Sequence, residues 1–414
     1  MTPVQDTIKD VQKLKQFFLD KAKTCVHPAN GLLKYPFLTP SYSVNPGGDD
    51  HANVPARSTV GHYLQMYDWD ACFFSQGAPL AGLPDLAPDV VANFMCLKHP
   101  DGYVPRTVSP HRIWDAGDMC KPFLCQSLAY KEKYKSHGAS TQLLQDLDCY
   151  LGYYERNRQT KSSLFHWRNV LESGVDDNLA LITPLEAAKD ENESNNTFPD
   201  GKMLAADLSA YMVAEYRAFA ILAEHAGDTA LSAKYKNKAA EVLAQIESLM
   251  WDDKYGMYLN LHPNATDKLY LRSWTGLTPT LLGLSKPERT EQVLRQNVLN
   301  PEHFYRAAGI SSMAASEPLY NNAKRGLYGR AIVSNWQGPM WVLPNALTVR
   351  CLLNVGMKKE ATDLAARVVR TMVNGLNERG TLFENYNADT GEPLWAPEFM
   401  SWNILAMELL QLLE

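Results

Sequence analysis

The stretch AADLSAYMVAEYRAFAILAEHAGD, residues 205–228, runs directly into TALSAKYKNKAAEVLAQIESLM, residues 229–250. The first is apolar over most of its circumference and stops at Gly227. In the second, Leu231, Tyr235, Ala239, Val242, Ile246 and Leu249 fall at helical steps and leave Lys and Glu on the other face. Asp228 or Thr229 stands where a cap for the second helix is needed. A helix buried nearly all round, a tight turn and a one-sided helix make an αα-hairpin whose second member faces solvent.

The arrangement recurs along the chain. MWVLPNALTVRCLLN, residues 340–354, is nearly all apolar and is stopped by Gly356. KKEATDLAARVVRTMVNG then carries a stripe at Ala361, Leu364, Val368 and Met372. Earlier helices are expected at 85–97, then at 120–134 followed by 140–156, and SWNILAMELLQLLE closes the chain as a buried helix. About a dozen helices, alternately buried and half-buried and without a βαβ stretch, define an all-α protein. At 414 residues two domains would be the default. No Ser-rich or Pro-rich linker divides the chain, however, and no fixed repeat of the solenoid kind is present. The expectation is one domain over residues 1–414, a closed double ring of inner and outer helices.

Composition excludes several functions. Forty Lys plus Arg against 46 Asp plus Glu give a formal charge of −6, with no basic stripe for a nucleic-acid backbone. No run approaches the roughly 18 apolar residues of a membrane span. MTPVQDTIKDVQKLKQFF is an amphipathic helix pattern without the compact apolar core of a secretory signal. The seven cysteines are odd in number and lack a CxxC pair; Cys120 and Cys125 are the closest. Buried free thiols in a reducing, cytoplasmic setting are expected. The N-x-[ST] matches at Asn192, Asn195 and Asn264 then read as accidents of composition. There is no HExxH, P-loop or GxGxxG, and neither a cofactor nor a metal is expected. Nothing in the sequence indicates an oligomeric state.

Unusual chemistry lies in the long connections, 35–68, 98–119, 158–203 and 378–401, where function concentrates. Four stretches, each at or near the edge of an expected helix, combine aromatics with acids or amides: YDWDACFF (67–74), HWRNVLESGVDDN (166–178), NWQGPMW (335–341) and LFENYNADTGEP (382–393). Five of the nine tryptophans, Trp69, Trp167, Trp336, Trp341 and Trp402, fall in or near them. Aromatic faces beside carboxylates and amides suit a sugar, which offers apolar C–H faces and a rim of hydroxyls. Each stretch also has a plain structural reading. A single Trp is most often core. Asp176, Asp177 and Asn178 can begin a helix at LALITPL, where acids favour the dipole and cap N–H groups. Gly338 and Pro339 can open the next helix with Pro near its first position. Asn387–Gly391 reads as a turn with Glu384 an exposed acid beside it, and Asp68 and Asp70 can be surface acids.

Taken together and in order, the motifs resemble a known family. ESGVDD at 172–177 resembles the ESGWD signature of trehalases and related inverting glycosidases of the (α/α)6-barrel type. YDWDACFF is similar to their QWDSYF-like stretch, and NWQGPMW resembles the YWRGPVW motif of glycoside hydrolase family 63. LFENYNADTGEP resembles that family's FENYN-x-x-TGE segment. WDDKYGMY at 251–258 matches a recurrent WDxxxGxY stretch. The matches run from about residue 60 to 402. Two departures stand out: Val175 where Trp is common, and Gln337 where family 63 usually has Arg, which bears on the contacts around the substrate.

The resemblance implies a single (α/α)6 barrel with an active site in the long loops at one end. It makes Asp176 the general acid and Glu384 the general base, and puts Trp69, Asp70, Trp336, Gln337 and Trp341 around the sugar. Tyr67, Trp167, Gly174 and Tyr386, in the same stretches, are further binding candidates. Inverting hydrolysis needs a protonated carboxyl and an ionised one roughly 6.5–9.5 Å apart, so that water fits between. A carboxyl among apolar neighbours can hold its proton near neutrality. Asp177 and Glu172 are rivals for the acid role. Family members of about this size resemble hydrolases of mannosylglycerate and glucosylglycerate, small anionic solutes. Such a substrate needs cations, for which Arg57, Arg106 and Lys121 are the candidates, with His111 and Arg112 nearby. A trehalase-like α-glucosidase is the alternative. A non-catalytic helical scaffold or a terpene synthase-like enzyme is more distant, since VDDNL lacks the last acid of DDxxD.

Overall fold

The computed structural model describes residues 3–42, 63–176, 178–181, 203–323 and 334–414. Its principal helices in chain order are α1 (Pro3–Lys21), α2 (Asp68–Gly77), α3 (Ala87–Cys96), α4 (Leu124–Ala129), α5 (Glu132–His137) and α6 (Thr141–Asn157). The short α7 (Val170–Ser173) precedes the hairpin α8 (Ala206–His225) and α9 (Thr229–Gln245). Then follow α10 (Pro287–Val293), α11 (Val342–Asn354), α12 (Lys358–Arg379) and α13 (Ala406–Leu413). Short strands lie between them: β1 (Val26–His27), β2 (Phe37–Leu38), β3 (Ile113–Met119), β4 (Trp251–Asp252), β5 (Met257–Tyr258), β6 (Met340–Trp341), β7 (Phe383–Tyr386) and β8 (Pro393–Pro397). The chain forms two compact units, one of residues 1–86, 108–112 and 291–414, the other of residues 87–107 and 113–290.

In the second unit the hairpin at 205–250 forms as its pattern requires. Helix α8 is buried along most of its length, α9 buries Tyr235, Ala239 and Val242, and Ile246 just beyond its end is buried too. Leu231 and Leu249, at the ends of the stripe, are half-buried. Gly227 closes α8 at φ +84°, and Asp228 caps α9 by accepting the Leu231 N–H at 2.9 Å. Helix α8 lacks a cap of its own at Ala205; the Asn260 side chain accepts the Ala206 N–H at 2.9 Å instead. Buried in α8, Glu215 accepts the Cys125 and Gln126 N–H groups at 2.7 and 3.1 Å. It thereby caps α4, whose N-cap residue Phe123 has no acceptor.

The helix expected at 120–134 is shorter and divided. Cys120 donates to the Val104 carbonyl at 2.8 Å, which keeps that end extended, and Lys131 takes an extended conformation between α4 and α5. In the first unit α11 and α12 follow their patterns, and Ala361, Leu364, Val368 and Met372 are all fully buried. Here β7 pairs antiparallel with both β6 and β8, setting Asn385 opposite Trp341 and Trp395. Pro339 does not start a helix: β6 intervenes, α11 begins at Val342, and Pro344 is the proline of its first turn.

Of the cysteines, Cys25, Cys72, Cys120, Cys125 and Cys351 are buried free thiols, Cys149 is half-buried and Cys96 is exposed. No helix among the described residues is long and apolar enough to cross a membrane.

Candidate active site

In the first unit the aromatic motif residues form one cluster. Trp336 lies flat on Trp341, with ring centres 3.8 Å apart and planes within 8°. Trp402 meets Trp69 edge-on at 5.2 Å and lies 6.0 Å from Trp341. All four are buried. The cluster continues through Phe399, 5.0 Å from Trp402, to Tyr63 at 5.6 Å and Tyr67 at 5.7 Å. The loop before β6 is pinned by Asn335, which accepts the Gln337 N–H at 2.7 Å and donates to the Asn321 and Ala323 carbonyls. A Cβ at Gly338 would stand 2.7 Å from the Asn321 carbonyl oxygen, so the glycine of NWQGPMW is required by close backbone approach. Gln337 itself is buried.

Glu384 sits on β7 and is 4% exposed, which removes the surface-acid reading. The Tyr63 hydroxyl lies 3.0 Å from both of its carboxylate oxygens. A donor so placed favours the ionised carboxylate. Asp70 is buried and accepts the Ser401 hydroxyl at 2.7 Å, while Asp68, also buried, accepts the Trp69 N–H at 2.8 Å. Neither is a surface acid. Next to Glu384, Asn385 is 1% exposed, and its amide nitrogen and oxygen have no hydrogen-bond partner among the described residues. Tyr386 is fully buried; its hydroxyl accepts the Phe383 N–H at 3.1 Å, and its ring packs where a Cβ on Gly375 of α12 would be 3.0 Å away. Its contacts are those of a core residue.

In the second unit Asp176 follows α7 and is half-buried. The turn leading to it is tightly built. Asn169 caps α7 by accepting the Glu172 N–H at 2.6 Å, and Gly174 ends it at φ +72°. Glu172 is fully buried and accepts from Arg158 Nη2 at 2.7 Å, from Arg158 Nε at 3.0 Å, and from the Met119 and Arg168 N–H groups at 2.9 and 2.5 Å. That occupancy makes it an anchor for the turn and removes it as a rival acid. Asp177, the other rival, lies outside the described residues, as does the segment expected to continue into a helix.

Arg106 is buried and donates to the Leu171 carbonyl. Burial pushes the Asp118 carboxyl above its ordinary range, while the Arg106 guanidinium, the Asn169 amide and Arg168 oppose the shift. Trp167 is buried and donates its indole N–H to Asp207 at 3.1 Å. Burial drives Asp207 up to about 6, against the Leu208 N–H, the Trp167 N–H and the charge of Lys121. Lys121 is completely buried, whereas His111 and Arg112 are exposed in the first unit. Arg57 lies outside the described residues. Among the described residues no cluster of His, Cys, Asp or Glu fits a metal ion.

Tyr63, Arg158, Asp118, Asp207 and Ser401 escaped sequence reasoning. Most act on a motif residue far away in the chain, Tyr63 and Glu384 being 321 positions apart, while Arg158 and Glu172 are 14 apart, at no recognised motif spacing.

The model of the mannosylglycerate hydrolase MGH1-like glycoside hydrolase domain matches residues 63–402 of this chain. A probable mannosyl-oligosaccharide glucosidase of Schizosaccharomyces pombe is 21% identical over 305 residues, which cover 66% of this chain and 35% of that protein. Trehalase of Oryctolagus cuniculus is 19% identical over 388 residues, 80% of this chain and 62% of that protein. The chain thus spans about a third of the length of the first relative and about three fifths of the second. Among solved structures, the family 63 mannosylglycerate hydrolase of Thermus thermophilus, in complex with Tris and D-glycerate, superposes with a TM-score of 0.65 at 16% identity. That match covers 99% of this chain and 100% of the other. It shows the fold, and the expected (α/α)6-barrel class is borne out.

Proposed function

The chain belongs to the mannosylglycerate hydrolase MGH1-like glycoside hydrolase family, within glycoside hydrolase family 63 and related to the trehalases, and from that premise we propose that it hydrolyses the α-glycosidic bond of a small glucoside or mannoside with inversion. The best substrate is glucosylglycerate or mannosylglycerate. Asp176 is the general acid: it delivers its proton to the glycosidic oxygen as the bond to the anomeric carbon breaks. Glu384 is the general base: it takes a proton from the water that attacks that carbon from the opposite face. The single catalytic domain spans residues 1–414, and the protein works in a cytoplasmic setting, in keeping with its free thiols.

One observation carries the reading. Glu384, in the FENYN segment, is a buried carboxylate whose two oxygens both meet the Tyr63 hydroxyl at 3.0 Å, next to the tryptophan cluster. A base must be ionised and desolvated at once, and a phenol donor beside aromatic rings supplies both conditions. For the glycerate carboxylate, the buried cations Lys121 and Arg106, together with Arg57, are the proposed partners. A desolvated cation gains most from an anion. The likeness to trehalase supports a second reading, a trehalase-like α-glucosidase.

Steady-state kinetics with glucosylglycerate, mannosylglycerate and trehalose separate the two; trehalose as the best substrate by a wide margin rejects the first. NMR of the anomer first released tests inversion. An α-glycoside must give the β-anomer, and an α-anomer overturns both assigned roles.

A further inference from the structure

The solvent side of α9 carries a groove of about 780 Å³ that none of the four aromatic–acid stretches lines. Its floor is apolar: Ala240, Leu243 and Ala244 of α9, with Leu284 across from them. These positions form the stripe next to the one that α9 buries. Ala240 and Ala244, one turn apart, leave room for a flat body to lie close to the helix.

Around this floor stand four cations, Arg217 of α8, Lys236 of α9, and Lys286 and Arg289 at the start of α10, against one carboxylate, Glu247. Glu247 is already engaged. Arg289 donates to its carboxylate at 2.6 Å and to its carbonyl at 2.7 Å, and Tyr258 gives it a hydroxyl. Lys236 pairs with Glu224 at 2.5 Å in an exposed contact of the kind that contributes little. Arg217 and Lys286 are exposed, and their side chains have no hydrogen-bond or ion-pair partner among the described residues. On a chain of net charge −6, two cations at the edge of an apolar floor, their side chains not matched by acids, attract an anion. The volume suits one small ligand.

We propose that this groove binds a small organic anion with a flat apolar body, such as an aryl sulfonate, phosphate or carboxylate, at a site separate from the glycosidase motifs. The apolar body lies on Ala240, Leu243, Ala244 and Leu284, while Arg217 and Lys286 hold the anionic end.

The test is titration of the full chain with 8-anilinonaphthalene-1-sulfonate, followed by calorimetry and fluorescence. One saturable site is expected, weakened at least tenfold by the charge-reversed pair Arg217→Glu with Lys286→Glu, and also by Ala244→Trp, which fills the groove. High salt weakens it further. Turnover of the best glycoside stays unchanged in these variants, and the dye readout stands even for a chain that cleaves no glycoside. Should Ala244→Trp fail to fold, the surface double variant decides alone. Unaltered dye affinity in the charge-reversed pair overturns the proposal. So does equal binding of the uncharged N-phenyl-1-naphthylamine, or tighter binding of an oligoglutamate peptide, which would mark a protein-docking face instead.

Discussion

Glu172 and Glu384 are buried to a similar degree, 0% and 4% exposed, yet their surroundings differ in kind. Glu172 is gripped by the Arg158 guanidinium and two backbone N–H groups. Glu384 is met by a phenol, in aromatic company. A carboxylate whose oxygens are filled by a guanidinium and backbone donors is fixed in place and anchors its turn. The one that meets the Tyr63 hydroxyl beside the aromatic rings is the proposed base. Burial alone therefore does not mark a catalytic acid or base; the partner does.

The strongest attempt to break this comparison exchanges single atoms. Glu384→Gln is expected to lower kcat by about 10³–10⁴-fold while leaving the thermal midpoint nearly unchanged, since the amide keeps the shape. Asp176→Asn should behave alike. A folded Glu384→Gln enzyme with near-normal kcat would void the base assignment.

Next in size, Glu172→Ala leaves Arg158 buried beside an empty space and should cost about 3–5 kcal/mol of stability, read from urea midpoints. Its loss of activity should follow unfolding, whereas that of Glu384→Gln should not. A stable Glu172→Ala protein would mean that the ion pair does not anchor the turn.

Helices were legible in these residues because stripes such as Ala361–Leu364–Val368–Met372 repeat over several turns. The strands were not. Strands of two to five residues, such as β6 and β8, offer too few positions for an alternating pattern to show. That is why Pro339 read as a helix start. At the candidate site, Asp176 and Glu384 were visible as motif members. Tyr63 was not, because it lies in a segment with several tyrosines and nothing nearby distinguishes it. The burial of Asp68 and Asp70 was hidden for a related reason: their partners are a backbone N–H and the distant Ser401.

A third buried glutamate sharpens the contrast. Glu215 has backbone N–H donors, and burial raises it from 4.5 to about 7. A carboxyl raised in the folded state stabilises below its unfolded pKa, and that contribution disappears as pH climbs through the folded value. Between pH 5 and 8 the native protein should lose on the order of 2–3 kcal/mol from this group. Glu215→Gln should flatten that slope in urea titrations at each pH; an unchanged slope would place the titration elsewhere.

The smallest effect belongs to Tyr63→Phe. Loss of one neutral donor should lower kcat/KM about three- to tenfold and move the acid limb of the pH–rate profile upward, since the Glu384 carboxylate loses support. A downward shift would contradict the geometry.

Trp336 and Trp341, face to face at 3.8 Å, are more than packing. Indoles that close share their electronic excitation, so the pair should absorb and emit as a coupled chromophore. Slight sliding of one ring over the other would alter the emission colour and the circular dichroism of the near ultraviolet. The protein therefore carries a built-in optical gauge at one of its sugar-motif segments, readable by stopped-flow without any attached dye.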